Sequence, residues 1–267
     1  MKTIRLIHNL PRSGGTIISK SLGAQKDVVL LSEIHPKGVE ISKKFGTKSL
    51  IFDPIFQSQI WNNLFKEEEY RKICTSNLKF DEKIDLIYEK TELAGKKLII
   101  RDWAFVDYFG KPVIEPTYKN SLLEILNKKY EILNLYIMRH PLKVYTSCYN
   151  YLGFFRNHYN FDFFLKGYRN FFFNKNKTNI CIFENFIKEP EKNLQKMCNI
   201  LKIQYDHDYL IKLKGVNLTG DDNARISLNI HNQDTISKKK VNELEILNKI
   251  KNRADFINLM KDLKGYY

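Results

Sequence analysis

Residues 3–24 constrain this chain most, because they read as a strand, a tight turn and a helix in immediate succession. Thr3-Ile4-Arg5-Leu6-Ile7-His8 is a short apolar run with β-branched residues, and a helical pattern begins at Thr16-Ile17-Ile18. A strand feeding directly into a helix implies a crossover connection, and hence a parallel sheet. The turn itself, Leu10-Pro11-Arg12-Ser13-Gly14-Gly15-Thr16, has the makings of an anion cradle. Backbone N–H groups of such a turn and the positive end of the helix dipole converge on one point. Gly14 and Gly15 admit a ligand to the backbone without a Cβ in the way. Ser13 and Thr16 supply hydroxyls, and Arg12 supplies a permanent charge whose forked donors suit phosphate or sulfate oxygens. The loop is not a Walker A motif, since Gly15 stands where that pattern requires Lys.

The rest of the chain repeats the strand–helix alternation. Strand patterns fall at residues 3–8, 27–31, 97–101, 131–138 and 179–183. Helical patterns fall at 16–24, 57–73, 81–94, 118–129, 141–152, 158–173 and 190–201, with tail helices near 239–248 and 252–264. The expected fold is α/β, three layers around a central parallel sheet, in a single domain spanning 1–267. Ligands of such sheets gather at the carboxyl ends of the strands. Pro11–Thr16, Glu33, Arg101–Asp102, Arg139 and Glu184 all follow strands on that rim.

A second motif sits there. Leu135-Tyr136-Ile137-Met138-Arg139 is a buried strand ending in Arg, and Pro141 suits the first turn of the next helix. That helix carries Val144, Ser147, Cys148 and Tyr151 at one-face spacing, with Ser147 eight residues after Arg139.

Together these segments resemble the PAPS-dependent sulfotransferases of bacterial type. Pro11-Arg12-Ser13-Gly14-Gly15-Thr16 is similar to their 5′-phosphosulfate loop, roughly Pro-[Arg/Lys]-Ser-Gly-Thr-Thr, with Gly15 replacing the first Thr. Arg139 and Ser147 resemble their 3′-phosphate motif. Leu31-Ser32-Glu33-Ile34-His35-Pro36 resembles an acidic segment of bacterial and tyrosylprotein members. Phe183-Glu184-Asn185-Phe186 with Glu189-Pro190 resembles the Tyr-Glu-Asp-Leu…Pro element, and 217–225 the late nucleotide-binding loop. The resemblance is thin across residues 40–95. It implies a P-loop-like sulfotransferase fold and transfer of a sulfuryl group from PAPS to a hydroxyl or amine. Pro11, Arg12, Ser13, Gly14, Gly15, Thr16, Arg139, Ser147 and Arg225 are the implied nucleotide-binding residues.

Arg12 is the implied stabiliser of the leaving phosphate. Cytosolic members take the acceptor's proton with a His after a central strand, but Arg101-Asp102-Trp103-Ala104-Phe105 has none. Glu33, twenty residues beyond Ser13, matches the spacing of the base in tyrosylprotein members, and Asp102 and His35 are the alternatives. Ile17 replaces a Trp that stacks on adenine in cytosolic members, and Phe183 stands where many carry Tyr. Trp103 is a candidate to take part in holding adenine.

The charge balance, +14 from 44 basic and 30 acidic side chains, invites a nucleic-acid reading. The lysines are scattered among asparagines, as in Asn174-Lys175-Asn176-Lys177, and no nucleic-acid recognition motif accompanies them. A doubly anionic nucleotide would profit from the same field. The six His fall at no ligand spacing with one another or with the four Cys, so no metal is expected. No apolar run approaches the ~18 residues of a membrane span. Without a leader-like segment, a cytoplasmic location is the expectation. The aromatic residues at 154–155 and 161–173 suit a helix core, or else the lining of an acceptor pocket. Two other functions remain open: a P-loop kinase-like nucleotide enzyme, and a non-catalytic anion-binding module on a decayed sulfotransferase fold.

Overall fold

The structure, a computed structural model, describes residues 2–44, 46, 49–173, 179–220 and 243–266. Strands β1 (Thr3–Asn9), β2 (Val28–Ile34), β3 (Lys97–Asp102), β4 (Glu131–Met138) and β5 (Ile180–Ile182) form one sheet. Every pairing is parallel and the order is β2-β3-β1-β4-β5. The chain runs from β1 to the β2 edge, returns to β3, then crosses over β1 to β4 and β5. The loop leaving β1 therefore lies mid-rim.

Helix α1 (Gly15–Gly23) joins β1 to β2. Between β2 and β3 come α2 (Gly38–Lys44), α3 (Pro54–Ile60), α4 (Glu67–Thr75) and α5 (Phe80–Leu93). Between β3 and β4 lie α6 (Ala104–Phe109) and α7 (Ser121–Leu126), and between β4 and β5 lie α8 (Pro141–Tyr151), α9 (Gly153–His158) and α10 (Phe161–Phe173). After β5 follow α11 (Phe183–Lys188), α12 (Pro190–Leu201), α13 (Tyr209–Lys212), α14 (Glu243–Ile250) and α15 (Ala254–Leu263). No helix among the described residues is long and apolar enough to cross a membrane.

The two-residue alternation of the strands builds the layers. Ile4, Leu6, Leu98 and Ile100 face α5 and α7, while Ile7, Ile99, Leu135 and Ile137 face α1 and α12. A third cluster is largely aromatic. Tyr145, Phe155, Phe164, Tyr168, Phe171 and Phe256 pack α8, α9, α10 and α15 together. The buried face of the aromatic run 161–173 is thus core, and at Phe164, Phe171 and Phe172 the acceptor-pocket alternative is excluded by burial.

Four expected elements have different bounds. The helix expected at 57–73 is two helices: Asp53 Oδ1 accepts from the N–H of Ile55 and Phe56, starting α3 at Pro54, and Asn63 in the left-handed region ends the run. The helix expected at 158–173 starts later, at Phe161, with Asn160 Oδ1 accepting from Phe163 N–H at its start. The expected 118–129 helix shrinks to α7, because Tyr118 has φ +56° and Asn120 caps Leu123 N–H. Strand β2 runs on to Ile34 through a bulge between Leu31 and Ile34, so Glu33 lies within the strand.

Candidate active site

The strand order arranges the candidate residues along one rim: Glu33 on β2, Arg101 on β3, the 10–16 turn after β1, Arg139 after β4, Phe183 and Glu184 after β5. Two of these positions carry left-handed backbone without being glycine, Arg12 at φ +62° and Glu33 at φ +54°. Such conformations cost about 1–3 kcal/mol each and collect where a side chain must be aimed. At Glu33 the bulge does the aiming.

In the turn, Gly14 caps α1 at φ +88° and ψ 6°. A Cβ on Gly14 would lie 2.0 Å from Phe183 Cδ2, and one on Gly15 2.3 Å from Asn9 Cγ. Both glycines are therefore required by close packing. Ser13 is buried and donates its hydroxyl to Leu10 O at 2.6 Å, which braces the turn. Ile18 N–H bonds Gly14 O, closing the first helical turn.

The two sequence motifs meet. Arg12 Nε donates to Ser147 Oγ at 3.0 Å, and Arg139 Nη1 donates to the carbonyl of Arg12 at 2.9 Å. The Arg12 guanidinium lies 4.9 Å from the Tyr151 ring centroid, and that of Arg139 lies 5.2 Å from the Phe183 ring. The ring faces hold both cations in place. Cys148 is buried beside them, 3.7 Å from Pro11 O. Burial pushes its thiol up to about 12 despite the pull of Arg12 and Arg139, which makes it inert. His140 is pushed down from its ordinary value chiefly by burial, so the residue beside Arg139 favours its neutral form.

On the other half of the rim, Arg101 is the organiser. It is 2% exposed; its Nη2 lies 3.2 Å from Glu33 Oε1 and 3.0 Å from both oxygens of Thr219, while Nη1 reaches Thr16 Oγ1 at 3.3 Å. Thr219 in turn bonds Ser32 through their hydroxyls at 2.8 Å. The late loop, the base candidate and the phosphate loop thus share one guanidinium. Arg225 lies outside the described residues.

All three base candidates have partners, and the other two are more enclosed, although Asp102 Oδ1 is buried without a hydrogen-bond partner. Asp102 Oδ2 accepts from His8 at 2.6 Å and also pairs with Asn120, and His8 is fully buried. His35 is buried between Asp107 Oδ1 at 3.3 Å and Lys37 N–H at 3.0 Å. The Glu33 side chain is 29% exposed, the most open of the three. Trp103 stacks on Phe52 at 4.3 Å and bonds Ile34 O through its N–H. That places it on the β2 side, whereas Phe183 sits at Gly14 and Arg139. Arg101, a charge ending an apolar strand as at Arg139, and Thr219, within the 217–225 segment, were legible by place but not by partner, and Tyr151 only as part of one face of α8.

The five-stranded all-parallel sheet flanked by helices has the fold of solved sulfotransferase domains. The chain is similar to the sulfotransferase domain from the Synechococcus PCC 7002 olefin synthase, with 16% identity, a TM-score of 0.61, and coverage of 98% of this chain and 94% of that one. It is also similar to the sulfotransferase domain from the curacin biosynthetic pathway, at 16% identity and a TM-score of 0.59, covering 99% of this chain and 98% of that one. No family model and no curated relative matches the sequence.

Proposed function

We propose that this chain is an enzyme that transfers the sulfuryl group of PAPS to a hydroxyl or amine of an acceptor. The observation that carries this is the junction of the two motifs. Arg12 and Ser147 lie 3.0 Å apart, and Arg139 is tied to Arg12, so residues far apart in sequence make one cationic surface on the rim. The residues fit a nucleotide with two phosphate groups. A turn whose Gly14 and Gly15 have no room for a Cβ offers its N–H groups to one phosphate, and Arg139, whose Nε is buried without a hydrogen-bond partner, suits the other. In this reading the 11–16 turn and Thr16 hold the 5′-phosphate, and Arg139 and Ser147 hold the 3′-phosphate. No metal enters it.

The chemistry needs positioning and charge stabilisation more than covalent help. The acceptor oxygen or nitrogen forms a bond to sulfur while the bond from sulfur to the bridging oxygen breaks. The electron pair leaves with the 5′-phosphate, where Arg12 balances the growing charge. Glu33 takes the acceptor's proton, Arg101 holding its carboxylate in place. The test is transfer of labelled sulfate from PAPS to a panel of phenols, sugars, peptides and lipids. Labelled product with the wild-type chain, reduced in Glu33→Gln, supports the reading. PAP binding with no transfer to any acceptor class would leave the non-catalytic module as the better account.

A further inference from the structure

The Arg139 segment is held from three sides, by Tyr168, Glu184 and Phe183. Tyr168, on α10 and 1% exposed, donates its hydroxyl to the carbonyl of Arg139 at 2.7 Å. Glu184, in the first turn of α11, accepts the N–H of His140 through Oε1 at 3.1 Å. Phe183, one residue earlier, lies under the guanidinium and against Gly14. The peptide between Arg139 and His140 is therefore fixed at both of its polar ends, its C=O by Tyr168 and its N–H by Glu184. Pro141 fixes the next φ and starts α8. Backbone set this firmly determines where the side chain begins, and a long side chain magnifies any change at its root.

We propose that Tyr168 and Glu184 are positioning residues for Arg139, holding it in the pose that recognises a 3′-phosphate. The proposal rests on the donor-site reading above and deepens it. Glu184 follows β5 on the rim, whereas Tyr168 lies in an aromatic run that otherwise packs the core. Its hydroxyl is a polar handle that joins that core to the rim at Arg139. The consequence is selectivity rather than affinity in general. Disturbing the peptide should weaken a nucleotide with a 3′-phosphate more than one without it, because the 5′-phosphate loop keeps a brace of its own, Ser13 to Leu10, besides the Arg139 bond to Arg12 O.

Calorimetry with PAP and with adenosine 5′-monophosphate tests this on the full chain and needs no acceptor. The wild type should bind PAP at least about tenfold more tightly than the monophosphate. Tyr168→Phe, which removes one hydroxyl, and Glu184→Ala should each cut that ratio about three- to tenfold while the monophosphate affinity stays within about twofold. Glu184→Gln, whose amide oxygen can still accept from His140, should restore most of the ratio. If either variant weakens both nucleotides alike, or leaves the ratio intact, the positioning role is wrong. Should Glu184→Ala fail to fold, Tyr168→Phe and Glu184→Gln carry the test. A wild type that binds both nucleotides equally overturns the donor-site reading and this proposal with it. A wild type that discriminates while the variants do likewise overturns this proposal alone.

Discussion

Replacing Gly15 by Thr, the residue the resembled loop carries there, should damage this chain rather than improve it. A Cβ at position 15 would sit 2.3 Å from both Cγ and Nδ2 of Asn9 and 2.5 Å from its Oδ1. Asn9 cannot yield without loss: its Nδ2 donates at 3.0 Å to Leu10 O, the same carbonyl that accepts the Ser13 hydroxyl. Overpacking of this kind costs about 1–3 kcal/mol, and the lost hydrogen bond adds about 0.5–1.5 kcal/mol. Gly15→Thr should therefore lose about 2–4 kcal/mol. Asn9→Ala removes the obstructing atoms, so the double variant should recover much of the deficit, giving a coupling of about 1–3 kcal/mol. Urea denaturation of the four proteins of this cycle supplies the numbers. Strict additivity, or a Gly15→Thr chain as stable as the parent, would refute the claim that Asn9 and Gly15 are a matched pair.

Other outcomes follow from the same geometry. Glu33→Gln should lower kcat by about 10²–10⁴ with PAP affinity unchanged by calorimetry; an unaltered kcat would remove Glu33 from the chemistry. Arg139→Ala should weaken PAP by about ten- to hundredfold, the worth of a charge-assisted pair, while sparing adenosine 5′-phosphosulfate; equal losses would make Arg139 structural. His140 has a folded pKa held below its ordinary 6.5 by burial. The unfolded chain then binds the extra proton, so stability should be intact above pH 6.5 and fall as pH drops below it. Urea midpoints at pH 5.5 and 8 should show this slope in the parent and a flatter one in His140→Asn.

Much of the fold was legible because strands and helices carry their periods locally. All five strands begin within one residue of expectation, at 3, 28, 97, 131 and 180, since each is an apolar run bounded by polar turns. Helix ends were legible where Pro marks them, as at Pro141 and Pro190, and were missed where side-chain caps or left-handed residues act, as at Asp53, Asn63 and Asn120. The bulge that aims Glu33 leaves no period in the sequence. At the site, the place of Arg12, Arg139 and Ser147 on one rim was legible because each stands at a short, fixed offset from a strand end. Arg101's contacts were not, because they join β3 to Glu33, Thr16 and Thr219, and only the parallel packing of β2, β3 and β1 brings those together.

The central claim is a nucleotide site built from two separate protein cradles. Thermal unfolding with PAP, with ATP plus Mg²⁺, and without nucleotide tests it most directly. PAP in metal-free buffer at about 100 times its Kd should stabilise the chain by about 2.7 kcal/mol, raising Tm by several degrees, with ATP plus Mg²⁺ doing far less. Stabilisation by ATP plus Mg²⁺ with none by PAP would contradict the account and favour a kinase-like nucleotide enzyme on this fold.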